Sequence, residues 1–150
     1  MTKFGEQVLD GIKASMFRPI NKSASIILGI TSIFWGFWVA NPFWWVFDSA
    51  EVYHVLNALA PEWVWGAVPA IIGALMVFGV ARNHFTVLLG AVRMGFYFWT
   101  FTAACFFVGD WQNTAGVIYT MVALYCGYVA LNLSINREYY LEQETKITSR

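Results

Sequence analysis

Four runs of mainly apolar residues, at about 23–40, 63–81, 85–108 and 114–134, dominate this 150-residue chain, and each closes on a charge or a turn former. About twenty such residues, at about 1.5 Å rise each, cross the roughly 30 Å hydrocarbon core of a bilayer. Within that core a chain must satisfy its own backbone hydrogen bonds, so each run is expected to be a helix. The breaks fall at Asn41-Pro42, at Arg82-Asn83-His84 and at Gly109-Asp110, with Arg137 beyond the fourth run. Charges and turn formers at every break predict four separate helices and not two long ones. The fold class expected is therefore all-α: a single membrane domain over 1–150, built as an integral membrane four-helix bundle. Composition excludes a water-soluble domain. Apolar residues make up 59% of the chain and charged ones 12%, about half the charged share of a soluble domain.

Basic residues set the expected orientation. Lys3, Lys13, Arg18 and Lys22 precede the first run, Arg82 separates the second from the third, and Arg137, Lys146 and Arg150 follow the fourth. The other two connections carry Asp48, Glu51, Glu62 and Asp110 and no Lys or Arg. Both ends are thus expected in the cytoplasm. Trp35, Trp38, Trp44, Trp45, Trp63, Trp65 and Trp111 fall at or near the opposite, outer boundary, where an amphipathic indole is best placed. Tyr139 and Tyr140 mark the inner one.

Two segments are expected to lie along the membrane surface. Over about 2–17, Phe4, Val8, Ile12 and Met16 share one helical face, with Lys3, Glu6, Asp10 and Lys13 elsewhere, a pattern that suits a cytoplasmic interfacial helix. A mobile tail is the plainer alternative. Over about 49–60, Asp48 and Glu51 read as a capping box, Val52, Val55, Leu56 and Leu59 form an apolar stripe, and Pro61 stops the helix. A polar tail of 135–150 completes the chain, and the start shows no cleavable signal pattern.

Helices in lipid associate through close packing of small residues, because burial from water no longer drives them together. The first run offers Ser25, Gly29, Ser32 and Gly36 on one face, the second Gly66, Ala70 and Gly73, and the fourth Gly116, Thr120, Ala123, Gly127 and Ala130. Thr86, Gly90, Arg93, Tyr97, Thr100 and Ala104 form the corresponding stripe of the third. These faces are expected to point inward. Leu88, Phe96 and Trp99, or Met121, Leu124, Tyr128 and Leu131, would then face lipid or another subunit.

Arg93 is the most informative single residue, since an arginine at a span centre costs about 2.5–3.5 kcal/mol on insertion scales. On the small, polar stripe it would enter a polar hub with Tyr97 and Asn132. Alternatively it snorkels to lipid phosphates at the cytoplasmic end, or lines a pore. His54 and His84 belong to opposite sides, so they cannot share a metal or haem. Cys105 and Cys126 fall at different depths, which argues against a disulfide. No catalytic set, metal-ligand spacing, phosphate loop or nucleic-acid patch is evident, so no enzyme activity, cofactor, metal, nucleic-acid partner or small-molecule substrate is expected.

The stretch from Trp38 through Asn41-Pro42-Phe43 to Trp44, followed by an acidic outer segment and then Ala60-Pro61-Glu62-Trp63-Val64-Trp65-Gly66, resembles small four-span membrane proteins of tailed phages and prophages. The resemblance covers the first hairpin and implies a host inner-membrane location, with no activity and no site residues attached. The functions expected are a non-enzymatic, holin-like membrane-modifying protein, an accessory or structural subunit of a larger membrane complex, or a small channel or transporter. The partners expected are the lipid bilayer with self-association or a larger complex.

Overall fold

The computed structural model describes residues 22–41, 43, 47, 53–138 and 140–141. They are helical, with no strand among the described residues. Among the described residues five helices follow in order: α1 (Lys22–Val39), α2 (His54–Leu59), α3 (Glu62–Ala81), α4 (Phe85–Gly109) and α5 (Thr114–Ile135). By length and apolar composition α3, α4 and α5 can each cross a membrane, whereas α1 is shorter. The expected interfacial helix at 2–17, the Asp48–Glu51 capping box and the tail beyond residue 141 lie outside the described residues.

Local chemistry fixes the helix ends. Pro61 precedes α3 and Glu62 occupies its first turn, where a carboxylate complements the helix dipole. The α3–α4 turn is a Schellman motif: Asn83 donates its backbone N–H to the Val80 carbonyl at 3.1 Å, and His84 donates to Gly79 at 2.8 Å. Asn83 holds φ at 52° there, a left-handed conformation that asparagine tolerates and β-branched residues do not. Replacing Asn83 with valine is expected to cost about 1–2 kcal/mol, and glycine to be neutral or slightly stabilising, both measurable by thermal unfolding in detergent. The Asn113 side chain caps α5 by accepting from the Ala115 N–H at 2.7 Å.

Packing follows the small residues in the first hairpin. α1 and α3 run antiparallel with two glycine pairs face to face, seven residues apart on each helix. A Cβ on Gly29 would stand 2.8 Å from the Gly73 carbonyl oxygen, and one on Gly66 would stand 2.6 Å from that of Gly36. Ser25 and Ser32 are buried on the same face, and Ala70 lies against Gly36. On α5, Gly116 and Gly127 receive the rings of Phe107 and Phe96, and Ala123 is buried between them. The bulky α5 residues Met121, Leu124 and Leu131 face outward.

α4 is turned the other way from expectation. Its Thr86, Gly90, Arg93, Tyr97, Thr100 and Ala104 are all exposed, and a Cβ on Gly90 would meet nothing within 4 Å. Leu88, Val92, Trp99 and Phe106 point inward instead. The reason is geometric. α1 packs closely along α3 but only grazes α5, so the middle of the bundle is wide and needs large rings to fill it. α4, which packs against α2, α3 and α5, supplies them. Thr100 is accommodated on the outside because its hydroxyl donates to the Phe96 carbonyl within its own helix at 2.7 Å.

Connectivity gathers Arg82, His84 and Arg137 at one end of the bundle and Glu62 and Asp110 at the other. α2 caps the acidic end. Its expected stripe is split: Leu56 is fully buried and Val55 partly so, while Leu59 faces out.

Candidate functional site

At the bundle centre a cluster of rings ties α1, α4 and α5 together. Trp35 meets Phe98, Trp99 and Tyr119 edge-on, with centroids 6.1, 5.2 and 5.8 Å away. Its indole N–H donates to the Tyr119 hydroxyl at 2.8 Å. Trp99 stacks on Tyr119 at 5.5 Å, and Phe106 closes the far side of Tyr119. Trp35 is therefore an internal strut and not the boundary anchor its place in the sequence suggests. Among the described residues, three buried polar atoms, Ser32 Oγ, Trp99 Nε1 and Thr102 Oγ1, find no hydrogen-bond partner.

Trp65 also leaves the boundary class. It is buried at the acidic end, where its Nε1 donates to the Leu56 and Ala60 carbonyls at 3.0 and 3.2 Å and so holds α2 down on α3. Phe47 donates its backbone N–H to Glu62 Oε1 at 3.3 Å and stacks on Tyr53. Burial, and then the negative charge of Glu62, raise the Tyr53 hydroxyl above its ordinary pKa, so it stays neutral. Trp38, Trp63 and Trp111 remain exposed, as boundary anchors would be.

The three residues of the expected polar hub are not brought together. Arg93 is exposed on α4 and donates from Nη2 to Ser134 Oγ on α5 at 3.1 Å, while that hydroxyl donates to the Ala130 carbonyl at 2.7 Å. Tyr97 is 69% exposed, its ring edge-on to Phe96. Asn132 is fully buried, with its carbonyl groups accepting from the Asn136 side chain. Arg93 makes no ion pair among the described residues. The sequence signal that could have found Ser134 is its place at the penultimate position of α5, level with a side chain that leans toward the start of α4.

Beyond Arg93 the outer seam between α4 and α5 opens into a groove of about 340 Å³, lined by Phe96, Thr100, Ala104, Phe107, Thr120 and Leu124 among others. A second hollow, beside His54, Val55, Val108 and Gly109, lies under the end of α2. Among the described residues no three His, Cys, Asp or Glu side chains come together as metal ligands, and Cys105 and Cys126 are free and buried. Comparison with family models, with curated proteins and with solved structures finds no match. The class that the described residues define is thus helical, with three helices long and apolar enough to cross a membrane.

Proposed function

We propose that the chain is a four-span inner-membrane protein with both ends in the cytoplasm, and that it serves as a non-enzymatic subunit of a larger membrane assembly. α1 joins the spans because its glycine pairs hold it against α3 over at least one heptad, about 10 Å of helix, so it shares the depth of a helix able to cross. Its outer face, with Ile27, Phe34 and Phe37, is apolar and exposed as a lipid-facing surface should be.

The observation that carries the subunit reading is where the faces are used. The small faces of α1 and α3 are consumed within the chain, while Trp38, Phe43, Trp63 and Trp111 stand exposed together toward the acidic end, more indole surface than anchoring at a lipid boundary requires. Aromatic residues of this kind dominate interface energetics. A second reading, a phage holin-like or small channel-forming protein, is favoured by the outward α4 face, whose small and polar residues with Arg93 would suit association into a pore.

Membrane potential during controlled expression, followed by purification in mild detergent from the native host, separates them. The subunit reading expects a steady potential and a larger partner that copurifies. Sudden depolarisation, followed by lysis when a cytoplasmic muralytic enzyme is present, would replace it with the permeabilising one.

A further inference from the structure

The α4–α5 seam has a cation at one end and an apolar groove along the rest. Arg93, Phe96, Thr100, Ala104 and Phe107 follow one another down one face of α4, and Ser134, Leu124 and Thr120 down the facing side of α5. From Arg93 to Ala104 the backbone rises about 16 Å, which is the scale of an acyl chain. The groove is open to the outside of the bundle, and its two hydroxyl groups are already satisfied by the Phe96 and Gly116 carbonyls. It therefore asks for an apolar occupant.

We propose that this seam binds an anionic phospholipid of the cytoplasmic leaflet, with its phosphate on the Arg93 guanidinium and one acyl chain in the groove. The site rests on the membrane-spanning placement proposed above. Side chains on a helix lean toward its N-terminus, so Arg93 reaches toward the end of the bundle that carries Arg82 and Arg137. Ser134 is a positioning residue: its hydroxyl takes one guanidinium N–H and leaves the others for phosphate oxygens, which the planar fork matches. A lipid suits the seam better than a second copy of the chain. Within the four long helices the acidic residue is Glu62, at the opposite end, and Glu138 lies beyond α5 at the Arg93 end; a carboxylate there brings no chain for the apolar groove, whereas a phospholipid supplies the anion and the apolar chain together.

The test is native mass spectrometry of the full chain in mild detergent, given phosphatidylglycerol or phosphatidylcholine with identical acyl chains. Both lipids offer the phosphate, but phosphatidylcholine also brings a quaternary ammonium beside the Arg93 cation, so the monomer is expected to retain phosphatidylglycerol about tenfold better. Arg93→Gln should bring the two lipids to parity, and Arg93→Lys should restore part of the preference. Ala104→Trp fills the groove without touching the charge and should lower retention of both. Equal retention by the native chain, or an unchanged preference in both Arg93→Gln and Ala104→Trp, overturns the site. A dimer that these substitutions dissociate overturns it in favour of a second copy. Alkaline extraction of membranes reads the placement separately: a released chain sinks the placement and the site together, while a retained chain without lipid preference sinks the site alone.

Discussion

Replacing Gly36 with leucine is expected to cost more than about 3 kcal/mol of stability, enough to leave much of the protein unfolded in mild detergent. The added Cβ alone would run into the Gly66 carbonyl oxygen and come within 2.8 Å of the Ala70 Cβ. Most of what it meets is backbone, which cannot rotate away as a long side chain would. Overpacking usually costs about 1–3 kcal/mol, and a rigid neighbour puts this site at or above the upper end. Leucine is the better helix former by up to about 1 kcal/mol, so any loss comes from packing and not from propensity. Gly36→Ala should cost less but in the same direction. Gly90→Leu is the control, because nothing lies within 4 Å of that position; it should be neutral or slightly stabilising. Thermal melts or denaturing-detergent titrations would read all three. Equal stability of Gly36→Leu and Gly90→Leu would mean that α1 and α3 do not meet through their glycines.

That contrast also marks how far the sequence could be read. In the first hairpin the small stripe is a direct signal. Only residues without bulk let two backbones approach so closely, and Gly29, Gly36, Gly66 and Gly73 keep the same heptad spacing on both helices. In α4 the same rule points the wrong way. A soluble helix shows its outside by its charges, but a helix in lipid is apolar all round, so only size distinguishes its faces. Size then depends on how wide a gap the face must fill, which is a property of the neighbours and not of α4 itself. Arg93 leaves two readings open for a related reason. Its place on a polar stripe suggests an interior hub, while its length equally suits a side chain that runs out along the helix, and in the structure it is exposed and reaches Ser134 near the end of α5. The long apolar helices and the α5 faces were legible from periodicity. The roles of Trp35 and Trp65 were not, because an indole near a boundary satisfies the same hydropathy whether it faces lipid or a neighbouring ring.

Replacing Trp35 with alanine is the second change expected to act strongly, at about 3 kcal/mol. Trp-to-Ala changes in water-soluble cores cost about 3–5 kcal/mol. Part of that is transfer from water, which a bundle placed in lipid as proposed above does not regain on folding, so the low end applies. What goes is contact with three rings on α4 and α5 and the hydrogen bond to Tyr119. Trp35→Phe isolates the polar part. It keeps an aromatic ring and removes the donor; the lost bond should cost about 0.6 kcal/mol and at most about 1.7, the mean and the maximum measured for hydrogen bonds between helices in lipid. Tyr119→Phe should cost a similar amount, and the double substitution little more than either single one, because both remove the same bond. Trp38, 59% exposed on the same helix, should tolerate phenylalanine without measurable loss. If Trp35→Ala is no worse than Trp38→Ala, the ring cluster does not hold α1 to α4 and α5, and the glycine face against α3 is all that keeps α1 in the bundle. A coupling between Trp35 and Tyr119 with a mild Trp35→Ala would place the stabilisation in the hydrogen bond; a severe Trp35→Ala without coupling would place it in the packing of the rings.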